Sequence, residues 1–471
     1  MNIEFFRMAA SAAFANPFSD ERVEIDRQII GASVDTAWED VFPLLFQTLE
    51  KNIQGLDNVQ EVVARRDSDD DARAVAVSVL FYVYTLMQEK FDALIEEQIA
   101  AGDESCTAPF AFQCLEKLKG FGFPRAEACR YVGIFYQIRR AYFFISRGLV
   151  GDSACMKQFR KRLWDNIFTH DISWYEQCLW DRMEDFSTLL LGETGTGKGA
   201  AAAAIGRSGF IPFNPNSQKF EESFTRAFIS INLSQYPEAL IESELFGHRK
   251  GAFTGAIEKH DGIFARCSPH GAIFLDEIGD VAVPIQIKLL QVLQERTFSP
   301  VGSHEKLRFE GRVIAATNKS IDALRREGKF RDDFYYRLCS DLITVPSLRQ
   351  RIRESARELE MLTGTLMQRI CGSDSRFPMV GKLKESVGKN YAWPGNVREL
   401  EQAIRRIMLT GSYLVIEPEP PADLSSSTMT AKELVAKYCS DLYATYGNYG
   451  EVARRTGLDW RTVKKHVDAT S

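Results

Sequence analysis

Apolar positions recur along the chain with two different periods, and the change of period divides it. Through residues 1–155 apolar side chains fall three and four apart, most regularly over 34–52, 72–100 and 125–148. That spacing predicts amphipathic helices, with loops at Asp67–Asp71 and Ala101–Pro109. From about 156 to 416, short aliphatic or β-branched runs alternate with longer helical segments. The runs are Thr188–Leu191, Phe228–Asn232, Ala272–Leu275, Val313–Ala316 and Leu342–Val345, and they predict an α/β fold with a parallel sheet flanked by helices. The Pro- and Ser-rich stretch Glu417–Thr428 lacks the side chains to pack a core and reads as a linker. Residues 429–471 return to a helical pattern.

Composition narrows the class. With 471 residues, 45% hydrophobic and 26% charged, the chain is not a disordered one. A net charge of −6 gives no global basic field, so any nucleic-acid contact must come from a local patch. Nine cysteines without a C-x-x-C pair suit reduced thiols better than a disulfide framework or zinc ribbon. The longest apolar run, Ala74 to Met87, falls short of the roughly 20 residues a membrane span needs. The first residues lack a basic, long-apolar signal. A cytoplasmic protein with no membrane partner is expected.

The candidate chemistry begins where Leu189-Leu190-Leu191 runs into Gly192-Glu193-Thr194-Gly195-Thr196-Gly197-Lys198-Gly199, followed by Ala200–Ala204. Strand, glycine-rich loop and helix is the context of a phosphate loop: backbone N–H groups close on phosphate oxygens, and Lys198 with the helix N-terminus supplies positive potential. The usual pattern ends in Ser or Thr, whose hydroxyl binds Mg²⁺; Gly199 has no side chain. A second run, Gly271–Leu275, ends in Asp276 and Glu277. Ligands of open α/β sheets sit at the carboxyl ends of strands, so both acids are expected beside the loop. There Asp276 would hold Mg²⁺ and Glu277 would orient or deprotonate the attacking water. Thr317 and Asn318 end a third run and are expected to read the γ-phosphate or that water. The residues therefore point to a site that hydrolyses a nucleoside triphosphate with Mg²⁺.

Between the two halves lies Gly251-Ala252-Phe253-Thr254-Gly255-Ala256. With the phosphate loop before it and Asp276-Glu277 after it, this segment resembles the GAFTGA loop of bacterial enhancer-binding proteins, the NtrC-type AAA+ activators of sigma-54 RNA polymerase. The resemblance implies an AAA+ core with an α/β subdomain at 156–345 and a helical lid at 346–416, in which Lys198 and the loop around it bind ATP. It implies that Gly251–Ala256 engages sigma-54, with Phe253 and Thr254 at the tip of a mobile loop. By the same resemblance Asn232 couples Glu277 to the nucleotide state, Arg331 and Arg337 act as fingers on a neighbouring subunit, and Arg398 reaches the nucleotide from the lid. A homo-oligomer, from dimer to hexameric ring, follows from fingers acting in trans. Three positions depart from the family pattern: Gly199 replaces a usual acid, Thr194 a common Ser, and Arg249 a frequent acid.

At the C-terminus, Tyr446–Val467 reads as helix, turn at Gly457, and a second helix capped by Asp459. Val463 and Val467 would face inward, leaving Trp460, Arg461, Thr462, Lys464, Lys465 and His466 for double-stranded DNA. This outline of a helix-turn-helix resembles the family's Fis-like domain and is expected at 429–471, after the linker 417–428. Residues 1–155 are expected to form a helical regulatory domain whose signal the sequence does not identify, with the aromatics at 135–136 and 142–144 in its core. Leu163 to Phe186 would couple it to the ATPase. Two other functions share most of these features: a AAA+ remodelling enzyme acting on another target, and a nucleotide-gated repressor that binds without turnover.

Overall fold

Five short strands carry the fold: β1 (Thr188–Leu191), β2 (Phe228–Asn232), β3 (Ala272–Asp276), β4 (Arg312–Thr317) and β5 (Asp341–Thr344). They pair in parallel in the spatial order β2-β3-β4-β1-β5. Each coincides with an expected run to within a residue or two. The central strands are apolar between their ends, where Thr188, Asp276, Arg312 and Thr317 stand, as a sheet covered on both faces requires; Leu189, Leu190, Ile273, Phe274, Leu275 and Ile314 are all buried. The computed structural model describes residues 2–33, 38–372, 376–387, 391–414, 435–436, 438–440, 442–443 and 447–468. The expected linker at 417–428 lies outside the described residues.

One face of the sheet is covered by helices Glu238–Phe246, Val283–Glu295 and Asp332–Leu338. The other is covered by the helix that follows the phosphate loop, Lys198–Gly206, and by helix Ala154–Phe168. Four helices, Leu348–Glu354, Glu358–Cys371, Arg376–Val387 and Asn396–Thr410, form the lid around Leu362, Leu383, Trp393 and Ile404.

The N-terminal helices include Trp38–Gln54, Asp70–Ala101 and Arg125–Gly148, matching the three periodic stretches. Helices Ile3–Phe14, Asp20–Ile30, Val59–Ala64 and Pro109–Gly120 are shorter and were not singled out by periodicity. Asp69 caps the long helix by accepting from the N–H groups of Asp71 and Ala72, so that helix begins inside the expected loop.

The expected boundary at residue 155 is not a break in packing. Met1–Tyr413 forms one compact unit and Leu414–Ser471 a second. The reason is apolar continuity: Ile211, Phe213, Phe220 and Phe224, which follow the phosphate-loop helix, share one core with Phe91, Tyr136 and the rest of the N-terminal bundle. The rings of Tyr136 and Phe220 stack 4.1 Å apart. Gly133 makes the close approach possible, since a Cβ there would lie 2.6 Å from the Phe210 ring.

In the C-terminal unit, helices Tyr449–Thr456 and Trp460–Asp468 meet at Gly457, which takes a φ of 69°. Val452, Val463, Val467 and Cys439 form its core. Among the described residues no disulfide forms, and no helix is long and apolar enough to cross a membrane.

Candidate functional site

Register brings the site together. Leu191 stands opposite Thr317, and Asn232 opposite Asp276, so the four carboxyl-terminal strand ends open on one crevice. The chain leaves β1 into the phosphate loop, where Gly195 and Gly197 take φ of 79° and 107°. These left-handed conformations cost a residue bearing Cβ about 1–2 kcal/mol. Lys198 folds back along the loop and donates from Nζ to the carbonyls of Gly192 (2.8 Å) and Glu193 (3.2 Å).

Lys198 is only 7% exposed, and that burial pulls its amine below the usual lysine range, opposed by the charges of Glu277 and Asp276. Burial likewise pushes the Asp276 carboxyl up, opposed by the Glu277 N–H and the charge of Lys198. A buried ammonium and a partly buried carboxylate in one crevice suit a ligand that brings phosphate anions and a divalent cation together. Asp276 fits the cation's role, being a carboxylate oxygen donor at a strand end; Gly199 supplies no second oxygen. A Cβ built on Gly199 meets nothing within 4 Å, so the missing side chain leaves open space there.

Glu277 is held in a constrained conformation. Its φ of 57° is left-handed, its N–H donates to Asp276 Oδ1 (3.0 Å), and its Oε2 accepts from the Asn318 N–H (3.3 Å). Asn318 in turn donates from Nδ2 to Thr194 Oγ1 of the phosphate loop (2.9 Å), so one residue ties the acid to the loop. Asn232 donates to Asp276 Oδ2 (3.4 Å), not to Glu277, while its own Oδ1 accepts from Ser234. Thr317 is fully buried and its hydroxyl accepts from the Lys319 N–H, which removes it from direct contact with phosphate. Thr196 is also buried and donates to the Glu193 carbonyl.

The lid closes on the loop through residues that the sequence reading passed over. Arg349 forms a two-pronged ion pair with Glu193, and Asn396 donates to Glu193 Oε2 and to the Thr194 carbonyl, both at 3.1 Å. Arg349 holds the Glu193 carboxyl below its ordinary range. The Val397 N–H donates to the Gly195 carbonyl at 3.0 Å, and a Cβ on Gly195 would sit 2.2 Å from the Gly395 carbonyl oxygen. Asn396 lies two residues before Arg398, the lid residue to which the family resemblance points. Arg398 is exposed and acts on Lys198 and Asp276 as a nearby positive charge. For Arg349 the sequence offered no signal, because nothing local says that a residue after β5 will face the phosphate loop.

Arg331 and Arg337 find their bonds near themselves: Arg331 pairs with Asp333 (2.6 Å), and Arg337 donates to the Leu293 carbonyl (2.9 Å). The loop Gly251–Ala256 is closed by the Gly251 N–H donating to the Ala256 carbonyl (2.8 Å), with Gly251 and Gly255 at φ of 80° and 104°. Phe253 and Thr254 are exposed, Ala252 and Ala256 less so. The Phe253 ring stands edge-on to His248, with centroids 4.9 Å apart, so the tip residue rests on the segment that leads into the loop. Arg249 pairs with Glu305 at 2.8 Å, which neutralises the charge that departs from the family pattern.

In the C-terminal unit Trp460, Arg461, Thr462, Lys464 and Lys465 are exposed on one helix. His466, expected to point outward with them, is half-buried, because it lies three residues after the core residue Val463 and so sits at the edge of the inner helix face.

The comparisons with known proteins agree with this geometry. A family described as the Sigma-54 interaction domain matches residues 175–344, and the AAA+ ATPase lid domain matches 353–434. The transcriptional regulatory protein ZraR of Klebsiella oxytoca is 35% identical over 331 residues, covering 67% of this chain and 67% of that protein. The regulatory protein AtoC of Escherichia coli (strain K12) is 36% identical over 264 residues, covering 55% and 54%. The hydrogenase regulator HoxA of Cupriavidus necator is 40% identical over 229 residues, covering 48% and 44%. The chain thus spans 54% of AtoC and 62% of the ZraR of Escherichia coli (strain K12). A nucleotide crevice under a helical lid, an exposed GAFTGA loop and these matches together place the chain in the NtrC-type family of sigma-54-interacting AAA+ regulators.

Proposed function

We propose that this chain is an ATP-driven transcriptional activator that binds an upstream DNA site, assembles into a ring in the cytoplasm, and remodels the closed complex of sigma-54 RNA polymerase. The observation that carries the proposal is the presence, on one compact unit, of a nucleotide crevice and an exposed Phe253-Thr254 tip braced against His248. The crevice supplies the free energy and the tip supplies the contact.

In the crevice, Lys198 exchanges the Gly192 and Glu193 carbonyls for phosphate oxygens of ATP, while the backbone N–H groups of Gly192–Gly199 surround the phosphates. Asp276 would hold Mg²⁺, which screens the negative charge of the phosphates. Glu277, already fixed by the Asp276 carboxylate and the Asn318 N–H, orients the attacking water and accepts its proton. Asn318 sets the position of Glu277 relative to the loop. Arg331 and Arg337 of a neighbouring subunit neutralise charge on the transferred phosphoryl group, so turnover needs a ring. Asn232, bonded to Asp276 beside Glu277, senses the change when the γ-phosphate leaves. Arg398 and the Glu193–Arg349 pair carry that change to the lid.

The C-terminal helix Trp460–Asp468, with Arg461, Lys464 and Lys465 exposed, is the DNA-reading element, and avidity within the oligomer compensates for weak binding per subunit. The N-terminal helices are the regulatory part. Because their core includes Phe213, Phe220 and Phe224, they act on the ATPase through packing rather than through a tether.

The test pairs two variants. Glu277→Gln should bind ATP and lose turnover; Thr254→Ala should hydrolyse ATP and fail to retain sigma-54 in the presence of a transition-state analogue. Undiminished hydrolysis by the first, or full sigma-54 retention by the second, refutes the corresponding assignment.

A further inference from the structure

The unit Met1–Tyr413 contains a partly open cavity of about 110 Å³ that belongs neither to the nucleotide crevice nor to the pore loop. Its walls come from two parts of the chain: Phe14, Phe81 and Phe135 from the N-terminal helices, and Trp164, Ile172 and Tyr175 from the segment leading into β1. The walls are mostly aromatic or aliphatic, so water finds few partners inside. An apolar cavity of about 150 Å³ stays dry and admits benzene, and this one is slightly smaller but open on one side.

The charges at its edge are already neutralised. Arg22 spends Nε on both oxygens of Asp26 (2.9 and 2.8 Å) and lies over the Phe81 ring at 4.9 Å. Glu176 accepts from Tyr131 Oη (2.8 Å) and Arg130 (3.1 Å). A charged ligand would have to break one of these pairs, whereas a neutral one only displaces poorly bound water.

One wall residue leads directly to the nucleotide site. Tyr175 donates from Oη to Gln137 Oε1 (2.6 Å), and Gln137 donates from Nε2 to the Ser208 carbonyl (2.8 Å). Ser208 donates to the Ala204 carbonyl (2.6 Å), inside the helix that begins at Lys198. We propose that this cavity is a binding site for a small, uncharged, single-ring aromatic molecule, and that its occupancy is relayed through Tyr175, Gln137 and Ser208 to the phosphate-loop helix. The relay rests on the proposed function in that its end point is the ATP site; the cavity itself does not.

The experiment uses the full chain and benzene as the probe, with naphthalene as the oversized control. Calorimetry reads binding, and hydrogen exchange over residues 198–208 reads the relay. Saturable benzene binding, no naphthalene binding, and at least a twofold change in exchange are expected. Ala13→Leu and, independently, Leu80→Phe fill the cavity from wall positions that are only half-buried and should each weaken benzene at least tenfold while unfolding cooperatively. Tyr175→Phe should keep benzene affinity within threefold and abolish the exchange response. Absent benzene binding, or unchanged affinity in both filled variants, overturns the site. An exchange response that survives in Tyr175→Phe overturns the relay. Benzene binding and the exchange response in a chain that hydrolyses no ATP support this site and count against the ATPase assignment instead.

Discussion

Arg140 offers the sharpest test of how the N-terminal helices hold the ATPase. Its side chain is wholly buried, and it donates from its two terminal nitrogens to the carbonyls of Arg207 and Gly209, each at 2.6 Å. Those carbonyls lie just past the end of helix Lys198–Gly206, where the helix dipole is negative. The guanidinium rests 4.4 Å from the Tyr136 ring, and burial pulls its pKa down to about 10, so it remains charged near neutral pH. Replacing it with methionine leaves two buried carbonyls unpaired, at about 1–3 kcal/mol each. The same change removes a buried charge whose penalty, taken from the fall from 12.5 to about 10, is about 3 kcal/mol. The two effects oppose each other: about 4 kcal/mol for the two carbonyls against about 3 for the charge leaves a net destabilisation of about 1 kcal/mol. Arg140→Lys separates charge from geometry: lysine reaches one carbonyl, keeps the penalised charge, and should be no more stable than methionine. Urea denaturation followed by tryptophan fluorescence at constant slope measures both. Full stability in Arg140→Lys would show that charge at the helix end matters and the fork does not. Full stability in Arg140→Met would show that water satisfies the carbonyls and that this contact does not hold the helix.

Other outcomes follow from the same structure. Gly195→Ala places Cβ 2.2 Å from the Gly395 carbonyl and should weaken ATP at least tenfold, read by fluorescent-nucleotide titration, whereas Gly199→Ala meets open space and should bind ATP as well as the parent chain. The depressed pKa of Glu193 means that the Arg349 pair supports lid docking above the ordinary carboxylate pKa and loses it as pH falls through the depressed value. Exchange of the Val397 amide should therefore stay slow at neutral and mildly acidic pH and speed up, beyond the intrinsic trend, only in acid below the ordinary carboxylate range, and Glu193→Gln should abolish that acid limb. Arg461→Ala with Lys464→Ala should weaken DNA binding and flatten its salt dependence by about two charges, with ATP hydrolysis unaltered; an unchanged salt slope would place the DNA contact elsewhere. Removing residues 1–155 should expose Phe213, Phe220 and Phe224 and yield an aggregation-prone chain, so the regulatory sign is better read from point variants such as those at Arg140.

Features that depend on local order are legible in the chain. A buried parallel strand must be a short continuous apolar run, and for that reason β1 to β5 could be read directly from the chain. A phosphate loop needs its glycines and lysine in consecutive positions, and the Gly251–Ala256 loop likewise carries its identity in six adjacent residues. Val463 and Val467, one helical turn apart, showed the inner face of the last helix.

Contacts between distant residues emerge only once the chain is folded. No spacing rule places Arg349 on Glu193, Asn318 between Glu277 and Thr194, or Arg140 on the carbonyls that end the phosphate-loop helix. Nor does the fall in apolar periodicity near residue 155 reveal that Phe213, Phe220 and Phe224 complete the N-terminal core. Periodicity reports which face of an element is apolar, because that depends on neighbours three or four positions away. Which other element covers that face depends on how the whole chain closes, and that information is absent from any local window.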